Sequence, residues 1–75
     1  MLNWGIIGAG GIARVFCNAV RFSKTSQVVA VASQTAGKAE VFAADFSIAK
    51  HYTSYEALLA DKTVDAVYIA TIHPS

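Results

Sequence analysis

The chain has 75 residues, 55% of them apolar, a formal net charge of +1 and a single cysteine. A near-neutral balance with scattered Lys and Arg lacks the basic stripe that tracks a nucleic-acid backbone, and one cysteine excludes an intrachain disulfide and fits a reducing compartment, with the cytoplasm as the default. No apolar run nears the ~20 residues that span a bilayer, so no membrane partner is expected.

At this length a fold removes only about 60% of its unfolded surface from water, so the chain reads as a single globular piece with a thin core, part of something larger. Leu2 to Ile7 is apolar at nearly every residue instead of every second one, the mark of a parallel strand covered on both faces. Gly11 to Phe22 is predicted helical, with Ile12, Val15, Phe16, Ala19 and Val20 forming the stripe toward the sheet and Arg14, Asn18 and Arg21 on the wet side. Val28 to Ala32 is a second buried strand. Thr35 is placed to cap a second helix that turns Ala39, Phe42, Ala43 and Phe46 inward. Lys50 to Tyr52 is a brief edge strand, Thr53 and Glu56 fit a capping box for a short helix, and Asp65 to Ala70 is a third well-marked strand. Alternating strands and helices with continuous apolar strands predict an α/β fold: a Rossmann-like parallel sheet with flanking helices.

The segment WGIIGAGGIA, Trp4 to Ala13, carries Gly5, Gly8, Gly10 and Gly11. Gly8, Gly10 and Ala13 fit GxGxxA, between the first strand and the first helix, where a dinucleotide fingerprint belongs. Gly8 allows the tight turn, Gly10 lets the backbone approach a pyrophosphate, and Ala13 lets helix and strand lie close. Gly11 and Ile12 then point free N–H groups at the phosphates, backed by the helix dipole. Gly5, inside the strand, marks close packing. At the end of the second strand an acid normally holds the ribose of NAD, but Ser33, Gln34, Thr35, Ala36, Gly37 and Lys38 include none. That removes an obstacle to a 2′-phosphate. Lys38 in a first helical turn opposes the helix dipole unless an anion sits there, and Ser33 and Gln34 offer hydrogen bonds beside it. The sequence therefore favours NADP, with NAD still possible.

WGIIGAGGIA, VVAVASQTAGKAEVFA and TSYEALLADKTVDAVYIATIHPS together resemble the amino-terminal Rossmann domain of the glucose-fructose oxidoreductase and inositol dehydrogenase family, Gfo/Idh/MocA, over the whole chain. The segment Thr71 to Pro74 resembles the dihydrodiol dehydrogenase branch, and Ser33 with Lys38 is similar to the anhydrofructose reductases. The resemblance implies an NAD(P)-dependent oxidoreductase of a small sugar-, polyol- or diol-like substrate. It places Gly8, Gly10, Gly11 and Ile12 at the pyrophosphate, Ser33 and Lys38 on the adenosine side, and Thr71 and His73 on the nicotinamide side. It also puts the catalytic lysine beyond Ser75, leaving residues 1–75 as the amino-terminal part of a nucleotide-binding domain without catalytic residues. His51 reads as a surface or packing residue, and Cys17, with no His or acid partner in view, as a buried thiol. An outer strand edge left to pair favours a homo-oligomer. A non-catalytic nucleotide-sensing module is the alternative function, because fold alone does not fix chemistry.

Overall fold

The computed structural model describes residues 1–35 and 37–70. Its elements run β1 (Leu2–Ile7), α1 (Gly11–Val20), β2 (Ser26–Ala32), α2 (Lys38–Phe46), β3 (Lys50–Tyr52), α3 (Tyr55–Leu59) and β4 (Ala66–Ile69). The strands form one parallel sheet in the order β3-β2-β1-β4. β1 is central, pairing Leu2 through Trp4 with Ser26 through Val28, slipping one residue at Gly5, and then pairing Gly5 through Ile7 with Ala30 through Ala32. Its other edge pairs Trp4 through Ile7 with Ala66 through Ile69.

Both faces of the sheet are covered over the carboxyl halves of β1 and β2, which is why those strands run apolar there without alternation. On one face Ile6 and Val31 pack under Ala13 and Cys17 of α1 and Ala39, Phe42 and Ala43 of α2. On the other, Ile7, Ala30 and Ala32 meet Leu58 of α3. Phe42 is 1% exposed, a burial that contributes about 2 kcal/mol. An aromatic run ties α1 across β1 to β4: the Phe16 ring lies edge-on to Trp4 at 5.1 Å and stacks on Tyr68 at 4.0 Å between centroids.

Several expected details differ. The buried face of α1 is Ala13, Cys17 and Val20, whereas Ile12, Val15 and Ala19 face outward, with Val15 70% exposed. Small side chains at Ala13 and Cys17 lie against the sheet, and Ile12 and Val15 are rotated out of that contact. The helix also stops at Val20, so Phe22 lies outside it and is 82% exposed. Thr35 does not cap α2, whose N-cap is Gly37 in the left-handed region with no side-chain cap. Thr35 is instead held in a turn, its N–H donating to Ser33 Oγ at 3.3 Å and its carbonyl accepting from Lys38 N–H at 3.2 Å. The cap of α3 is Ser54, one residue later than Thr53, with Oγ accepting from Ala57 N–H at 3.4 Å, so Thr53 and Glu56 form no capping box. The β2 strand begins earlier than the apolar run because Ser26 and Gln27 pair with Leu2 and Asn3. β4 is shorter than Asp65 to Ala70 by one residue at each end.

Candidate functional site

The carboxyl ends of the three longer strands are drawn together by backbone bonds. Gly8 N–H donates to Ala32 O at 2.8 Å, and Ala70 N–H donates to Ile7 O at 2.8 Å. Ser33 N–H in turn donates to Tyr52 O at 3.1 Å, so the ends of β1, β2, β3 and β4 are laced side by side. Gly8 leaves β1 with φ of 105°, a left-handed conformation that costs glycine little and other residues much. The chain then reverses into α1, whose N-cap is Gly10.

Gly10 is extended, with φ −97° and ψ −163°, and supplies no side-chain cap, and the first turn of α1 carries no acidic residue. Among the described residues, the opening N–H groups at Gly11 and Ile12 therefore have neither a capping side chain nor a first-turn carboxylate beside them, the arrangement that suits an anion. A Cβ built at Gly10 or Gly11 meets nothing within 4 Å among the described residues. Internal packing thus does not demand glycine at either position, and the space that a side chain would fill is the approach to the turn. The residues fit a bound pyrophosphate.

At the end of β2, Ser33 is 6% exposed, and its Oγ accepts from Thr35 N–H while, among the described residues, its hydroxyl hydrogen meets no acceptor. Gln34 is exposed beside it. Lys38 opens α2, and with Ala9, Arg14, Gly37 and Val41 it lines a groove that runs from the glycine turn between α1 and α2. Glu40 shares the first turn of α2, and among the described residues Lys38 makes no ion pair. Gly8, Gly10, Gly11, Ile12, Ser33, Gln34 and Lys38 therefore gather at one end of the sheet. Thr71 and His73 lie outside the described residues; β4 delivers the chain to Ala70, bonded to the glycine-turn end of β1. Arg14, assigned by periodicity only to the wet face of α1, is the residue of this groove that the sequence reading missed. Its spacing four residues after Gly10 was visible, but the wall it faces comes from α2 and is not.

Other titratable groups have structural work. Asp61, its side chain 4% exposed, accepts from Tyr52 OH at 2.6 Å, Thr63 OH at 2.6 Å, Thr63 N–H at 2.9 Å and Lys50 Nζ at 3.3 Å. These donors, Thr63 first, hold its carboxyl well below the usual carboxylate range. Burial pushes the Cys17 thiol up to about 11, against the opposing charge of Arg14, so it is no nucleophile at neutral pH. His51 is exposed on β3. A second hollow, lined by Met1, Ser26, Gln27 and Ser47 among others, lies at the opposite end of the strands from the glycine turn. Among the described residues no His, Cys, Asp and Glu group is placed to hold a metal, and no helix is long and apolar enough to cross a membrane.

Comparison with known proteins agrees with this geometry. The chain is 48% identical over 97% of its length to the trans-1,2-dihydrobenzene-1,2-diol dehydrogenase of Mus musculus, of which it spans 22%. Among solved structures, myo-inositol dehydrogenase from Lactobacillus casei in complex with NAD(H) and myo-inositol superposes with a TM-score of 0.86 at 27% identity, over 95% of this chain and 22% of that one. A variant 3-ketoreductase from Actinomadura kijaniata, in complex with TDP-benzene and NADP, gives 0.86 at 31% identity, over 93% of this chain and 22% of that one. The model of the oxidoreductase family with an NAD-binding Rossmann fold matches residues 2–75, and the chain belongs to that family, Gfo/Idh/MocA.

Proposed function

We propose that this chain is the NADP(H)-binding portion of an oxidoreductase that moves a hydride between nicotinamide and a diol-, polyol- or sugar-like small molecule. The dehydrogenase and reductase activities of its relatives support the reaction class. The observation that carries the cofactor preference is the acid-free end of β2, with Ser33 buried at the strand end and Lys38 opening α2 on the same groove as the glycine turn. A carboxylate there would repel a 2′-phosphate, and a cation there attracts one.

Each residue then has a task. Gly8 sets the turn, Gly10, Gly11 and Ile12 present backbone N–H groups to the pyrophosphate, and Ser33, Gln34 and Lys38 receive the adenosine side. Thr71 and His73, following β4, are assigned to the nicotinamide side. The dinucleotide, when bound, supplies the hydride chemistry, and these residues bind and orient it.

Titration of NADPH and NADH into the full-length polypeptide tests the reading. NADPH is expected to bind more tightly, and Lys38→Ala to weaken NADPH by about tenfold, the loss of one charge-assisted contact, while NADH changes little. Equal affinities, unaffected by Lys38→Ala, would contradict it.

A further inference from the structure

Arg14 and Lys38 stand on opposite walls of the groove between α1 and α2, Arg14 one turn into the first helix and Lys38 at the start of the second, with Ala9, Gly37 and Val41 completing the lining. Arg14 is held to the α2 wall by three contacts. Its Nη2 donates to Asp45 Oδ2 at 3.1 Å, and its guanidinium carbon lies 5.5 Å from the Phe42 ring centroid and 5.6 Å from that of Phe46. The pair is open to water, with both side chains 47% exposed. A half-exposed ion pair is weakly held and exchanges readily for a stronger acceptor.

We infer that Arg14 is a second determinant of cofactor specificity, parked on Asp45 and turned toward the 2′-phosphate of NADP when that group enters the groove. The inference rests on the NADP reading given above and adds to it a residue and a competing carboxylate. A phosphate is the better partner because it carries more charge than a carboxylate, and it can take both arms of the guanidinium fork where Asp45 takes only Nη2. The pyrophosphate is not the target, because the free N–H groups at Gly11 and Ile12 meet it without a side chain, whereas Arg14 faces Lys38 and α2. The aromatic rings beneath Arg14 support its planar head from below and limit where it can swing. Asp45 then does two things. It neutralises Arg14 in the empty groove, and it competes with the cofactor for the same cation.

The test is a set of NADPH and NADH affinities measured on the full-length polypeptide with Arg14→Gln, Asp45→Asn and Lys38→Ala. Arg14→Gln is expected to weaken NADPH about tenfold and NADH less than about twofold. Removing the competitor with Asp45→Asn is expected to tighten NADPH by about threefold and leave NADH alone, which also covers an Arg14 variant that folds poorly. Equal weakening of both cofactors by Arg14→Gln would overturn the inference, since a structural brace or a platform for the adenine ring serves both alike. So would an unchanged or weaker NADPH affinity in Asp45→Asn. If Lys38→Ala selectively weakens NADPH and Arg14→Gln does not, only the role of Arg14 falls. If the unaltered protein holds NADPH no more tightly than NADH and Lys38→Ala changes nothing, the NADP reading falls and Arg14 falls with it.

Discussion

A methyl group at Gly5 would sit 2.8 Å from Leu58 Cδ2 and 3.0 Å from Val64 Cγ1, and Leu58 is 0% exposed with nowhere to retreat. Gly5→Ala is therefore expected to destabilise the fold by about 1–3 kcal/mol, the usual cost of overpacking a close-packed interior, as read from urea unfolding. The same scale decides Cys17. Buried at 3% exposure with its thiol pushed up to about 11, it should resist iodoacetamide at pH 8 in the native protein and react promptly once the chain is unfolded. Rapid native alkylation would show that α1 does not lie closed on the sheet. Gly5 and Cys17 were both legible in the sequence: a glycine inside an apolar strand leaves close approach as its main use, and a lone thiol among apolar neighbours has little else to do but pack. Thr35 and Thr53 were less legible, because Ser33 and Ser54 stand close by and either hydroxyl could have closed the turn. The sequence offers the donors and acceptors, and backbone geometry chooses among them.

Between elements, the ties are uneven. β3 has three residues and, among the described residues, pairs only with β2, yet it is pinned to the loop after α3 by Lys50 and Tyr52, which both donate to Asp61. The Asp61 carboxyl is lowered by those donors and by Thr63, so its contribution to stability is complete above the unfolded carboxylate pKa of about 3.9 and fades as pH falls toward the folded value. Asp61→Asn is expected to lower the unfolding midpoint at pH 7 and to flatten its decline in acid; an unchanged acid profile would mean that the tie carries no stability. The order of elements was readable because each strand is a continuous apolar run between polar turns. The inward face of α1 was not. Its apolar residues cover more than one face, and periodicity alone gives Ile12 and Val15 the same standing as Ala13 and Cys17. What separates them is which residues the sheet meets: Ala13 and Cys17 pack with Ile6 and Val31, and Phe16 sits against Trp4 and Tyr68. The groove of Arg14 and Lys38 was hidden for the same reason, since it exists only where two helices meet.

For the molecule as a whole, apolar surface remains in view. Val15, Leu59 and Ile69 are 70%, 60% and 66% exposed, and β4 is an edge strand of a parallel sheet. Such an edge beside apolar side chains invites pairing with another strand. The 75-residue chain taken alone is expected to associate as its concentration rises, and sedimentation that finds a folded monomer at high concentration would contradict this. The architecture itself follows from the sequence with few alternatives, because strand, glycine turn, helix and strand in that order admit a right-handed parallel crossover and little else. The chemistry is less local. The relatives that this chain resembles are several times longer, and it spans 22% of the dehydrogenase from Mus musculus. On the proposed reading, the dinucleotide lies over the glycine turn. Backbone amide shifts recorded while NADPH is added to the full-length polypeptide test that claim most directly. The largest changes should fall at Gly10, Gly11, Ile12 and Ser33, and changes concentrated instead around Ser26, Gln27 and Ser47, at the opposite end of the sheet, would contradict it.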